Sequence, residues 1–408
     1  MNPAMTTTTA NPLASASTAP ASARAVLHLL ARLRHGTLTV HLPDGAAHRF
    51  GHGEPHAALH LASWAPFERA LRSGDIGFAE SYMEGEWSTP GLADLLLLVL
   101  RNREALEGAI HGRWWGRLAY RLRHLLQRNT RAGSRRNIHA HYDLGNAFYA
   151  LWLDPTMNYS AACFDGEPQR PLEQAQDAKV RRALRSAQVA PGARVLEIGC
   201  GWGALAEMGA REFGAHVTGV TLSTEQLAWA RERLARAGLA QQADLRLQDY
   251  RDVGDAAFDA ICSIEMLEAV GRDWWPTYFG ALRRLLKPGG RACIQTIVMA
   301  DALWPRYIRS TDFIQQYVFP GGCLPCPGEF HRQAQAAGLR VVESHSFGQD
   351  YARTLRLWRE RFLARRAEVL ALGFDERFMR LWEFYLAYCE AAFAAGSTDV
   401  VQYTLQPA

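Results

Sequence analysis

The sequence predicts an α/β fold, with a mostly parallel sheet covered by helices on both faces and a smaller, mainly helical N-terminal domain ahead of it. Three observations point to this fold. Beyond Arg194, short apolar strands alternate with helical segments. A glycine loop, Gly199-Cys200-Gly201-Trp202-Gly203, joins the first of these strands to the first helix. The chain has 408 residues, more than one ordinary core organises, so at least two domains are expected.

Residues 1–23 are rich in Ala, Ser, Thr and Pro and lack the basic start and apolar core of a signal peptide, so a disordered tail is expected. Residues 24–112 form the N-terminal domain. Within it, 36–51 reads as a hairpin turned by Pro43-Asp44-Gly45, and apolar helical segments follow from residue 58. The stretch 74–87, rich in Gly and aromatic residues, suggests a tight packed turn. The longest apolar run, 95–100, is far shorter than the ~20 residues that span a bilayer.

Residues 113–136 carry eight arginines and no acid. Trp114, Trp115, Leu118, Leu122, Leu125 and Leu126 recur at helical spacing among them, giving one apolar and one cationic face. Such a linker helix suits an anionic membrane surface; the plainer reading is a solvated helix between domains. The net charge of +4 gives no global attraction to nucleic acid, which is not expected as a partner. Seven cysteines without disulfide-like spacing fit a reducing, cytoplasmic location, and Cys323-Leu324-Pro325-Cys326 has no second pair to complete a metal site. No metal is expected.

Residues 137–408 form the α/β domain. Strands are expected at 194–198, 216–220, 245–248, 258–263, 291–296, 340–346 and 401–405, the last two separated by two helices. Helices are expected at 205–213, 224–237 and 274–286. A glycine loop at this place lets the backbone approach a nucleotide-like ligand. Glu197 stands just ahead of the loop, where a carboxylate meets the ammonium of a methionine moiety. The next strand ends in Thr221-Leu222-Ser223 without the acid that a dinucleotide ribose wants, and Asp249-Tyr250 follows the third strand, where an adenine edge fits. The spacing favours S-adenosylmethionine, with NAD as the alternative.

The ordered motifs resemble the cyclopropane-fatty-acyl-phospholipid synthases. They include 74–87, His139-Ala140-His141-Tyr142-Asp143-Leu144-Gly145-Asn146, Asp154-Pro155-Thr156-Met157-Asn158-Tyr159-Ser160, the glycine loop, and Ile264-Glu265-Met266-Leu267-Glu268-Ala269-Val270-Gly271. Phe319-Pro320-Gly321-Gly322 and Phe347-Gly348-Gln349-Asp350-Tyr351 complete them. The resemblance implies a seven-stranded Rossmann-like methyltransferase sheet, S-adenosylmethionine, and an unsaturated phospholipid acyl chain whose double bond receives the methyl carbon and closes a cyclopropane ring. It implies a bound bicarbonate as base. It also makes a homodimer an expected assembly and the inner face of the membrane an expected location.

Carried over by position, Tyr159, Ser160, Gly199, Gly201, Thr221, Leu222 and Gln226 fall on cofactor contacts, joining Glu197 and Asp249. Glu268 falls on the glutamate that holds the bicarbonate, Tyr351 on its tyrosine, and Ile297 on a position whose backbone contacts the anion. Two positions depart: Ala161 replaces a cysteine and Gln295 a histidine, and Gln295 can hydrogen-bond an anion but carries no charge. These departures bear on ring closure, and a methyl- or methylene-branched chain is the alternative product. A soluble small-molecule substrate and a non-catalytic lipid binder are the rival readings. Glu265 reads as a cofactor-side or supporting group. His139 and His141 read as structural or polar contacts near the cofactor entrance. Trp304, Tyr307, Phe313, Tyr317 and Phe319 read as a packed lid that doubles as an acyl tunnel wall.

Overall fold

The computed structural model describes residues 19–106, 144–254 and 256–408. Residues 1–18 of the expected tail, the arginine-rich segment 113–136, His139 and His141 lie outside the described residues. The contacts separate two units. One holds the chain up to residue 106 together with Asp375–Ala391; the other holds the residues from 144 to 374 and Ala392–Ala408. The segment Asp375–Ala391 thus groups with the N-terminal unit, although it sits late in the sequence.

The N-terminal unit contains a four-stranded sheet in the order β2-β1-β3-β4. Strands β1 (Gly36–His41) and β2 (Ala47–His52) form the expected hairpin. Three expectations change here. The first helix, Ala21–Leu30, begins inside the stretch read as tail, because Ala23, Val26, Leu27 and Leu30 make an apolar face that is buried. Residues expected to open a helical run instead form β3 (His56–Leu61), which pairs in parallel with β1. The stretch 74–87 is mostly helix: Ala65–Met83 continues through a kink at Gly74, whose φ of 66° only glycine adopts freely. The chain then turns into β4 (Trp87–Ser88), and Trp87 stacks on Phe78 at 4.3 Å. The Tyr82 hydroxyl donates to Glu383 at 2.7 Å and the Tyr388 hydroxyl to Asp75 at 3.1 Å, which ties Asp375–Ala391 into this unit.

The second unit is built on a seven-stranded sheet in the order β10-β11-β9-β8-β5-β6-β7. Its strands are β5 (Arg194–Ile198), β6 (His216–Thr221), β7 (Ala243–Leu247), β8 (Phe258–Ile264), β9 (Leu286–Met299), β10 (Leu339–Ser346) and β11 (Thr398–Pro407). The five from β5 to β9 run parallel, and β11 is antiparallel to both β9 and β10. All seven expected strands are present. Successive residues feed opposite faces, as the pleat requires: Val195, Cys262 and Cys293 enter one core, while Leu196, Ile261 and Ile294 enter the other. Cys200, Cys262 and Cys293 are buried in the first of these cores, and all seven cysteines are free thiols. Three helices, not two, separate β10 from β11: Gly348–Ala364, Arg366–Ala371 and Glu376–Ala394. Among the described residues, no helix is long and apolar enough to cross a membrane.

The chain leaves β5 toward β6 and β7 on one side, then returns to build β8 and β9 on the other. The carboxyl ends of β5 and β8 therefore flank the reversal point of the sheet, where open α/β folds bind ligands. The turn after β5 depends on glycine. Gly203 has φ 87°, and a Cβ there would lie 2.9 Å from the Ala230 Cβ. Gly214 closes the following helix, Ala204–Phe213, at φ 62° with no comparable clash. Gly203→Ala is expected to destabilise the fold by about 2–4 kcal/mol and Gly214→Ala by about 1 kcal/mol; urea unfolding of the two variants checks the order.

Candidate active site

A pocket opens at the carboxyl ends of β5, β6 and β8. It is lined by all nine expected cofactor residues: Tyr159, Ser160, Glu197, Gly199, Gly201, Thr221, Leu222, Gln226 and Asp249. The glycine loop forms one wall. The Gly199 and Cys200 amides both donate to the Val220 carbonyl, at 2.9 and 3.1 Å, which fixes the loop against β6. A Cβ on Gly201 would project into open space, so its backbone offers a cradle for a ligand. Thr221 and Gln226 are buried at the end of β6, and the Ser223 hydroxyl caps the next helix by accepting from the Gln226 amide at 3.2 Å. Asp249 reaches the pocket, but both its carboxylate oxygens accept from the Arg251 guanidinium, at 2.8 and 2.6 Å.

Glu197 is buried, and its Oε2 has no partner within the protein. Burial pushes its carboxyl up to about 8. Glu197 lines the pocket, and a buried acid that lacks a partner for one oxygen is stabilised by a cationic ligand beside it. The sulfonium and ammonium groups of S-adenosylmethionine supply such charge, so the residues present fit that cofactor. Tyr159 forms the opposite wall, braced by Tyr149, Trp152 and Trp358 at ring separations of 5.3, 5.5 and 5.5 Å.

A polar cluster lies behind the pocket. Lys179 is fully buried and donates to the Asn158 side chain at 3.1 Å and to the Ser160 hydroxyl at 2.5 Å. Burial lowers its ammonium to about 8, against the attraction of Glu265, Asp154 and Glu197. Glu265, which lines the pocket, accepts through Oε1 from the Ala161 amide at 2.8 Å and from the Gln295 side chain at 2.7 Å. Its Oε2 accepts from the Tyr351 hydroxyl at 2.7 Å. Gln295 is itself oriented by Gln402, whose amide donates to its side-chain oxygen at 3.0 Å.

Glu268 turns the other way. Its Oε1 accepts from the Ile297 amide at 2.5 Å and the Thr296 hydroxyl at 3.0 Å, and its Oε2 has no partner. Burial, with the Glu265 charge second, pushes this carboxyl up to about 8. The alternation along β9 separates the two acids, since Gln295 and Thr296 point to opposite faces.

The profile of the mycolic acid cyclopropane synthetase family matches residues 129–403. This chain belongs to that family. It is 41% identical to a tuberculostearic acid methyltransferase of Mycobacterium tuberculosis, an alignment covering 99% of this chain and 94% of that protein. It is 39% identical to the cyclopropane-fatty-acyl-phospholipid synthase of Escherichia coli K12, covering 82% of this chain and 84% of the relative. Among solved structures, a mycolic acid cyclopropane synthase in complex with SAH and CTAB aligns over 67% of this chain and 98% of its own. Its TM-score is 0.62 and its identity 31%. The cyclopropane synthase MmaA2 from Mycobacterium tuberculosis aligns equally well, at TM-score 0.62 and 31% identity over 66% of this chain and 97% of its own. The protein is therefore an S-adenosylmethionine-dependent methyltransferase of a family that acts on lipids.

Within this family site, the expected catalytic residues take unequal places. Tyr351 and Gln295 donate to Glu265, which lines the pocket, and neither they nor Glu268 is among the residues that line it. Glu265, read from sequence as a supporting group, holds the centre. Lys179 escaped the sequence reading, although a signal was present: Leu172, Ala175, Gln176, Lys179, Val180 and Ala183 share the buried face of helix Leu172–Ser186, and two of them are polar. In the insertion after β9, the Tyr307 hydroxyl accepts from the Leu324 amide at 3.0 Å, and Phe313 is fully buried, which makes a packed cover.

Glu197 and Glu268 stay protonated in the folded state well above the ordinary value of 4.5. Between pH 4.5 and about 8 the folded protein thus binds more protons than the unfolded chain, so its stability falls as pH rises through that window. Glu268→Gln is expected to make this slope shallower by about one bound proton, as read from urea midpoints at pH 5, 6, 7 and 8.

Proposed function

We propose that the protein methylates the double bond of unsaturated acyl chains in membrane phospholipids. The reading is carried by an apolar, aromatic-walled cofactor pocket with a partly buried carboxylate, Glu265, set into its wall. S-adenosylmethionine supplies an electrophilic methyl group when bound. Glu197 and the glycine loop hold and orient it, while Tyr159 and the rings behind it exclude water. An alkene that accepts the methyl carbon becomes a carbocation, which water would quench and an aromatic face stabilises without reacting. Proton loss to a nearby base then neutralises the chain.

Ring closure is the product that the resemblance implies, and the Escherichia coli relative named for it supports this. A methylene-branched chain is the second reading. Two observations favour it: the relative aligned over 99% of this chain is named for tuberculostearic acid, and Ala161 and Gln295 depart from the pattern of the ring-forming enzymes. The N-terminal unit and the arginine-rich segment 113–136 would bring the enzyme to anionic lipid at the inner face of the membrane.

Purified protein, methyl-labelled S-adenosylmethionine and anionic vesicles of monounsaturated phospholipid test the reading. Label is expected in the acyl fraction, with none from saturated vesicles; an unlabelled acyl fraction overturns it. Proton nuclear magnetic resonance of the product separates cyclopropane from methylene protons. Co-sedimentation with the vesicles is expected to weaken steeply with added salt.

A further inference from the structure

We propose that the Glu265 carboxylate is the base of this reaction and occupies the place where the resemblance puts a bound bicarbonate; the proposal rests on the C-methylation reading above. The positions that the resemblance assigns to holding an external anion are already engaged with the protein's own acids. The Tyr351 hydroxyl, the Gln295 amide and the Ala161 backbone amide all end on Glu265. The Ile297 amide, the fourth, ends on Glu268. A bicarbonate at these donors would have to displace one carboxylate and lie against two. The site therefore does not fit the anion.

The backbone gives an independent sign. Glu265 adopts φ 49°, in the left-handed region that favours glycine and that side-chain-bearing residues adopt at a cost. Such strain persists where the surroundings over-determine it, typically at working sites. Here it swings the side chain off the end of β8 onto donors from three other segments. The replacements agree in kind. Gln295 brings a neutral donor to the Glu265 carboxyl, and Ala161 holds it through its backbone amide. The charged or titratable groups facing Glu265 are the Lys179 ammonium, the Tyr351 hydroxyl and Glu268. Burial pushes the Glu265 carboxyl above its ordinary value, and the three donors and Lys179 pull against that rise; Glu268, with one bare oxygen, is pushed up to about 8.

The step balances. The alkene π pair makes the new carbon–carbon bond, the sulfur–carbon pair departs with sulfur, and the positive charge stays on the neighbouring chain carbon. Glu265 takes a proton from the transferred methyl. The freed C–H pair closes the ring or, after a 1,2-hydride shift has moved the charge to the methyl-bearing carbon, forms the double bond of a methylene branch. Glu265 returns the proton to water when the product leaves.

The test compares wild type and Glu265→Gly, with monounsaturated vesicles, in carbonate-free buffer and with added bicarbonate. Wild-type turnover is expected to stay within twofold whether or not bicarbonate is present. Glu265→Gly is expected to lose at least 100-fold, keep its affinity for S-adenosylhomocysteine, and recover activity when bicarbonate or formate fills the vacated donors. Wild-type dependence on bicarbonate, or full activity of Glu265→Gly in carbonate-free buffer, overturns the proposal. Binding of 13C-bicarbonate, read by nuclear magnetic resonance line width, separates this question from the lipid reading: it is expected with Glu265→Gly and not with wild type, whatever the substrate. Wild-type binding overturns the proposal. Should Glu265→Gly unfold, Glu265→Gln serves for turnover, and the wild-type arms stand alone.

Discussion

Segments far apart in the sequence, around Ala161, Gln295 and Tyr351, converge on the two oxygens of Glu265. A partly desolvated carboxylate is costly unless each lone pair finds a donor. That constraint shapes the whole rear of the pocket. It requires β9 to present Gln295 at the level where β8 ends, the helix Gly348–Ala364 to deliver Tyr351, and the segment before helix Leu172–Ser186 to bring an amide alongside. Lys179 lies behind them as counter-charge, and it too is acceptable in the interior only because Asn158 and Ser160 take its protons.

The sheet makes this convergence possible. Its reversal point lies between β5 and β8, so two loops from neighbouring strands open into the same space. The loop after β5 is built for close backbone approach, and the loop after β8 is built to present acids. The first gives the protein its cofactor, a property shared across a broad class of methyltransferases. The second sets Glu265 into the pocket wall, with Glu268 one helical turn further on.

The N-terminal unit obeys a different logic. Its small sheet and helices enclose an apolar core closed by a late segment, Asp375–Ala391, through Tyr82–Glu383 and Tyr388–Asp75 hydrogen bonds. This unit is completed only by a segment that begins at Asp375, so it needs contacts between residues far apart in the chain.

The α/β class, the strand order along the chain and the glycine loop were legible from sequence, because each rests on local rules; the other residues named for the cofactor came mostly from the resemblance, and all nine line one pocket. Apolar alternation marks strands, and a glycine loop between strand and helix needs backbone freedom that only glycine supplies. The stretch 74–87 misled because glycines in a helix kink look like glycines in a turn. Glu265 was visible as a residue and as part of a motif, but not as the centre of the site. Its role depends on a left-handed backbone angle and on donors 104, 30 and 86 residues away, none of which leaves a periodic trace. The sequence by itself determined the cofactor and the family. The tertiary structure decided which acid gathers the donors at the pocket wall, because hydrogen-bond partners are chosen by position in space, not by spacing along the chain.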